Sequence, residues 1–136
     1  PFGGIGRGMK VGKEEIIGLV AAVERYLKVD HEAEFRELDA RVSDISKALS
    51  GIRGVKAERL VPEIANHLPH LAVDWDSPVK LSAQEVAVTL RNGDPRIEVS
   101  QRGPRGLTIS VWMLRPGEHK IVAQRLSEVL GRSAKG

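Results

Sequence analysis

Leu71-Ala72-Val73-Asp74-Trp75-Asp76 is the stretch that decides the fold. Its large apolar side chains fall on every second residue. Successive side chains of a strand point to opposite faces, so this period of two describes a strand with one buried face. The same period recurs on both sides of it. Val55 to Val61 reads as a strand stopped by Pro62, which cannot donate to a ladder. Ile97 and Val99 mark a third strand, and Leu107, Ile109 and Val111 a fourth. Gln101 to Gly106, between them, has the composition of a hairpin turn.

Helical spacing fills the intervals. Ser82-Ala83-Gln84-Glu85 is a capping box, and the helix it opens runs to Arg91, where Asn92-Gly93-Asp94-Pro95 breaks it. Pro116-Gly117 opens a last helix with Ile121, Val122, Leu126 and Val129 on its apolar face. Gly131 is its expected C′ residue, and Arg132 to Gly136 a frayed tail. Near the start, Asp30 caps a helix that reaches Leu49. Phe35, Leu38, Val42, Ile45 and Leu49 form its apolar stripe, and Glu34, Arg36, Glu37, Arg41 and Lys47 its polar face. Before it, Lys13 to Lys28 reads as a helix with Gly12 as N-cap and Glu14 and Glu15 complementing the dipole. Ile16, Val20, Val23 and Leu27 form one stripe, which Ile17, Leu19, Ala21 and Ala22 widen nearly all round. A helix so apolar is expected to be buried between larger bodies, one of them a portion outside this chain.

From residue 55 the order is β-β-α-β-β-α. This predicts an α+β fold: a long linker helix, then a small antiparallel sheet with helices packed on one face. The expected parcels are a glycine-rich loop over 1–12, the linker helix over 13–29, the α+β domain over 30–131 and a tail over 132–136.

Composition narrows the class. The chain has 136 residues, 41% hydrophobic and 29% charged, enough for one packed domain. It has no cysteine, which excludes disulfides, thiolate metal sites and a cysteine nucleophile and fits a reducing compartment, the cytoplasm. No apolar run reaches the roughly 20 residues of a membrane span. The net charge of +3 is a mild excess, acids and bases mostly alternate, and aromatics are only 4%, too few for a base-stacking platform. Pro1-Phe2-Gly3-Gly4 has no initiator Met and no signal-peptide character, and reads as the middle of a longer protein.

Several residue groups invite chemical readings. The glycines at 3, 4, 6, 8 and 12 match neither phosphate fingerprint: Met9 stands where a dinucleotide loop needs Gly, and Arg7 and Glu14 break the phosphate-loop pattern. Between a plain connector and an anion site, the second would use Arg7, Lys10 and backbone N–H groups near a helix start. His67 and His70 flank Leu68-Pro69, and no further metal ligands cluster nearby. Asp74 and Asp76 share a strand face, where solvation is the commoner reason for carboxylates. Arg91, Arg96, Arg102, Arg105 and Arg115 are the one basic concentration: a solvated rim, an anion clamp, or a face for RNA or an acidic partner on a free-standing binding module.

Ile5-Gly6-Arg7-Gly8-Met9-Lys10-Val11-Gly12-Lys13-Glu14-Glu15-Ile16-Ile17-Gly18-Leu19 resembles the segment after the catalytic lysine in selenocysteine-synthase-like enzymes. These are pyridoxal-phosphate (PLP) enzymes of the aspartate-aminotransferase fold. Leu114-Arg115-Pro116-Gly117-Glu118 is similar to the family's last helix start, and the order of elements matches its small C-terminal domain. The resemblance implies a C-terminal part of a cytoplasmic PLP-dependent lyase or transferase, with the cofactor bound mainly by an upstream domain. It implies that Arg7 and Lys10 bind anionic groups of substrate or cofactor; from the arginine concentration at the hairpin, Arg102 and Arg105 are the secondary anion contacts to consider. No catalytic residue is implied here, since none of the eight lysines matches the aldimine position. The implied partners are a small anionic substrate and further copies of the chain in a homodimer or larger homo-oligomer; a membrane and nucleic acid are not among them. Selenocysteine synthases carry Asp-x-Arg on the last strand, where this chain has Ser110-Val111-Trp112. An amino acid, amino-sugar acid or its phosphate therefore fits better as substrate than a charged tRNA, and Gly8 in place of the family's Pro loosens the loop.

Overall fold

The computed structural model describes residues 11–64 and 67–135. Two compact units divide the chain, residues 1–34 and 35–136. In the first, α1 spans Lys13–Lys28 behind an extended Gly12 N-cap, with Glu14 and Glu15 in its first turn and Arg25 and Lys28 in its last. The Val29 N–H closes the helix on the Tyr26 carbonyl, which His31 Nε2 also approaches at 3.0 Å. Helix α2, His31–Leu49, begins where Asp30 Oδ1 accepts the Ala33 N–H at 2.9 Å, the expected cap. None of its residues is buried, and Leu27 is 77% exposed.

The second unit is the α+β body. Strand β1 is Val55–Leu60, β2 His70–Trp75, β3 Ser100–Gln101 and β4 Gly106–Ser110; helix α3 is Ala83–Arg91 and α4 Glu118–Lys135. The sheet is antiparallel in the order β1-β2-β4-β3. Register gives each face its residues. Val55, Ala57 and Arg59 stand opposite Trp75, Val73 and Leu71. Leu71 and Val73 in turn face Ile109 and Leu107. This is the core face, and Val42, Ile45, Leu49, Val86, Leu90, Leu126 and Leu130 of the three helices close on it. Each such side chain, fully buried, contributes roughly 1.5–3 kcal/mol. Trp75 is buried without loss because its indole N–H donates to the Leu81 carbonyl at 2.7 Å.

The capping box of α3 is complete: the Glu85 N–H donates to Ser82 Oγ at 3.2 Å, and the Ser82 N–H to Glu85 Oε2 at 2.8 Å. The Ser82 backbone, then its hydroxyl, hold the Glu85 carboxyl below the usual range. That contribution is present at neutral pH and is lost as pH falls through the lowered value. Gly54 has φ +84°, and a side chain there would meet the Asp76 and Ser77 carbonyls, so only glycine makes this entry to β1.

Two boundaries differ from expectation. Ile97 and Val99 do not join a third strand: the Ile97 N–H goes to the Leu90 carbonyl at 3.1 Å, tying this segment to the end of α3, and β3 keeps only two pairs with β4. Gly131 does not end α4, which continues to Lys135 in place of a frayed tail. Leu130 is fully buried, Ala134 packs on the core, and Ser133 Oγ accepts the Lys80 N–H at 3.1 Å, so the last turn is held from outside.

The exposed face of α1 predicts association. Leaving its Val, Leu and Ile side chains wet forgoes roughly 1.5–3 kcal/mol each. Sedimentation velocity on the 136-residue chain should show self-association, and a chain starting at Asp30 should sediment as a monomer. A clean monomer of the whole chain at high concentration would contradict this.

Candidate functional site

Arg7 and Lys10 lie outside the described residues. The helix start beside them is described, and its electrostatics are informative. A Cβ on Gly12 would collide with the Glu15 carboxylate and press on that of Glu14, so both acids fold back over the N-terminus of α1. The positive end of the helix dipole is thus already complemented. Any anion bound in this loop would rely on the two side-chain cations more than on the helix end.

The secondary candidates separate. Arg102 is ion-paired with Asp74. Gly106 makes room for that pair, since a side chain there would strike both the Asp74 carboxylate and the Arg102 carbonyl. Arg105 keeps its side chain exposed and uses its carbonyl to accept the Trp75 N–H at 3.0 Å. In the wider arginine cluster, Arg91 and Arg96 both grip Glu98, at 2.9 and 2.6 Å. Arg96 first and Arg91 second hold the Glu98 carboxyl below the usual range. Three of the five arginines therefore face carboxylates of the same chain, two of them sharing Glu98. Asp74 and Asp76 do not act as a pair: the first belongs to Arg102, and the second lies past the end of β2. His67 and His70 each turn Nδ1 to a local carbonyl, Pro62 at 2.9 Å and Leu68 at 2.7 Å. Among the described residues no three His, Asp or Glu side chains group as metal ligands.

One residue was misread from sequence. Arg41 belongs to the polar face of α2 by composition, yet it is buried at 9% exposure. Its guanidinium donates to the Leu114 carbonyl at 2.7 Å, to that of Val111 at 3.3 Å and to Glu37 Oε1 at 2.5 Å. It ties the turn after β4 to α2. That turn presents Trp112 and Met113, 43% and 73% exposed, while its own backbone is held. The available signal was position: Arg41 sits between Leu38 and Val42 at the edge of the apolar stripe, one turn after an acid. Beside this turn an apolar cavity of about 240 Å³ lies between residues 95–99, β4 and α4, lined by Ile97, Val99, Ile109, Leu114, Ile121 and Val122. The β3–β4 ladder is only two pairs long, and residues 95–99, which precede it, line this cavity without pairing to β4.

No known family model matches the chain. It is 31% identical over 137 residues to the D-glucosaminate-6-phosphate ammonia lyase of Salmonella typhimurium (strain 14028s / SGSC 2262), an alignment covering 96% of this chain and 35% of the relative. It is 29% identical over 132 residues to a 5'-C-glycyluridine monooxygenase-decarboxylase of a Streptomyces species, covering 95% of this chain and 33% of that one. A solved structure of D-glucosaminate-6-phosphate ammonia-lyase matches 98% of this chain with a TM-score of 0.68 and 27% identity, over 36% of its own length. The chain thus spans about a third of the curated relatives it matches, and both are named as enzymes, one of them a lyase. Among the described residues no helix is long and apolar enough to cross a membrane.

Replacing Arg41 tests the tie. Arg41→Lys keeps the charge but loses the fork that reaches two carbonyls and a carboxylate at once. Urea unfolding should show a loss of about 1.5–3 kcal/mol, the scale of one charge-assisted hydrogen bond. Stability within 0.5 kcal/mol of wild type, a change of roughly the surface-substitution scale, would show that the turn holds itself.

Proposed function

We propose that this chain is the small-domain part of a PLP-dependent lyase of the selenocysteine-synthase-like kind, acting on an amino-sugar acid or its phosphate. The observation that carries this reading is similarity along nearly the whole chain, in sequence and in fold, to a D-glucosaminate-6-phosphate ammonia lyase. The second relative supports the substrate class, since its name also joins an amino acid to a sugar framework.

The chain's own residues do not fit the covalent anchor of the cofactor. The described lysines, Lys13, Lys28, Lys47, Lys56, Lys80, Lys120 and Lys135, are all exposed. An amine that forms a lasting aldimine is shielded and has its pKa depressed by its surroundings. In this reading the anchor belongs to the length of the relatives that this chain does not span. What the chain contributes is anion recognition by Arg7 and Lys10. A guanidinium at 7 grips two oxygens of a phosphate or carboxylate, and an ammonium at 10 adds a point charge. Ser110, Val111 and Trp112 close β4 and enter the turn without any charge, which favours lyase chemistry over selenium transfer to a tRNA. The rival reading, an arginine-rich module for RNA or an acidic partner, loses support from the pairing of Arg91, Arg96 and Arg102 with Glu98 and Asp74.

Steady-state kinetics of the full-length enzyme on an amino-sugar acid phosphate test the assignment. Arg7→Lys should lower kcat/KM about ten- to hundredfold, the effect of losing one charge-assisted contact of about 1.5–3 kcal/mol. Lys10→Arg should be milder, and Arg102→Ala and Arg105→Ala should each cost less than Arg7→Ala. An Arg7→Ala enzyme within about twofold of wild type would make the loop a connector only.

A further inference from the structure

Residues 97–99 carry the pattern of a strand and lie beside a strand edge that they do not use. The hydrogen bonds at the hairpin fix which backbone groups face which way. The Arg102 N–H donates to the Gly106 carbonyl at 2.8 Å, and the Trp75 N–H to the Arg105 carbonyl at 3.0 Å. Backbone groups alternate along an extended strand. On β4 the groups of Gly106, Thr108 and Ser110 therefore face β3, and those of Leu107 and Ile109 face β2. Ser100 opposite Thr108 is the last pair of the β3–β4 ladder. The Ser110 N–H and carbonyl come next on that edge, and among the described residues no strand continues along them. The same alternation turns the Glu98 N–H and carbonyl toward β4 and the Ile97 N–H away from it. The bond from the Ile97 N–H to the Leu90 carbonyl, 3.1 Å, runs in that direction.

Continuing the ladder without a bulge sets Val99 opposite Ile109 and Glu98 opposite Ser110. Ile97 and Val99 then fall on the core face, in step with Leu107 and Ile109. They already line the apolar cavity of about 240 Å³ together with Ile109, Leu114, Ile121 and Val122. The cavity and the unused edge are two sides of one gap, and residues 97–99 complement both. Two contacts tie them to α3 instead: the Ile97–Leu90 hydrogen bond and the solvent-exposed ion pair of Glu98 with Arg91. Closing the gap would add two backbone hydrogen bonds, between Glu98 and Ser110, and bury more of the half-buried Ile97 and Val99. The two sides of this balance are of the same order. We propose that residues 97–99 are a strap with two positions. In one it is tied to α3 and the cavity is open; in the other it is zipped onto β4 and Ile97 and Val99 fill the cavity. A small apolar molecule in the cavity holds the strap open, so occupancy of the cavity is coupled to pairing at the end of β4. This inference does not depend on the lyase reading.

The chain has no cysteine, so a pair introduced across the gap has one disulfide to form within a molecule. Residues in a hydrogen-bonded antiparallel pair stand about 5.5 Å apart at Cα, within disulfide reach. The test uses the whole chain carrying Glu98→Cys and Ser110→Cys, with xenon as the apolar probe. The reduced protein should shift the ¹²⁹Xe resonance saturably, as an open apolar cavity does. Oxidation should join the two cysteines within one folded chain. Xenon at its own Kd should slow that reaction about twofold, because it withdraws half of the open molecules from closing. The oxidised protein should lose the saturable xenon shift and regain it on reduction. Should this pair fold poorly, Val99→Cys with Ile109→Cys, about 4.5 Å apart at Cα in the same register, is read in the same way. The proposal is overturned if the folded protein forms no disulfide within the chain, or if xenon leaves the rate of its formation unchanged. It is equally overturned if the reduced protein gives no saturable xenon shift, or if the oxidised protein binds xenon as the reduced one does.

Discussion

Strand β2 is hydrogen-bonded along both edges, to β1 and to β4, and its core face carries Leu71, Val73 and Trp75 under three helices. Every other element of the α+β body takes its place from that strand. A slip of one residue would turn all three side chains to the outer face and bring His70, Ala72 and Asp74 into the core. Asp74 would then lose solvent and the Arg102 partner it meets outside, a cost that adds to the loss of apolar burial in fixing the register. The same strand divides its two faces: its even-numbered residues carry His70 and the Asp74–Arg102 pair, and its odd-numbered residues anchor the helices.

The elements whose reasons are local were legible in the sequence. Period two at 71–75, the Ser82–Glu85 capping box and the Asp30 cap all state their structure within a few residues. The misses have distant causes. The failure of Ile97 and Val99 to pair comes from the Leu90 carbonyl at the end of α3. The survival of α4 past Gly131 comes from Lys80 and the core. Arg41 is buried by carbonyls seventy and more residues away. Of the candidate site, the sequence showed which cations could serve but not which were already engaged. That Asp74 holds Arg102 and that Glu98 holds Arg91 and Arg96 depends on tertiary neighbours.

Three arginines of the rim are engaged by Glu98 and Asp74, and the proposed anion recognition rests on Arg7 and Lys10. An amino-sugar acid phosphate has both an anionic end and a hydroxylated chain, and the proposed lyase activity needs no charged residue in the turn after β4.

The most direct measurement is ammonia release by the full-length protein supplied with PLP and D-glucosaminate 6-phosphate. The account predicts catalytic turnover, with ammonia formed in step with loss of the amino-sugar acid phosphate. Absence of ammonia release from a folded, PLP-loaded protein would contradict the assignment as a lyase of this substrate class.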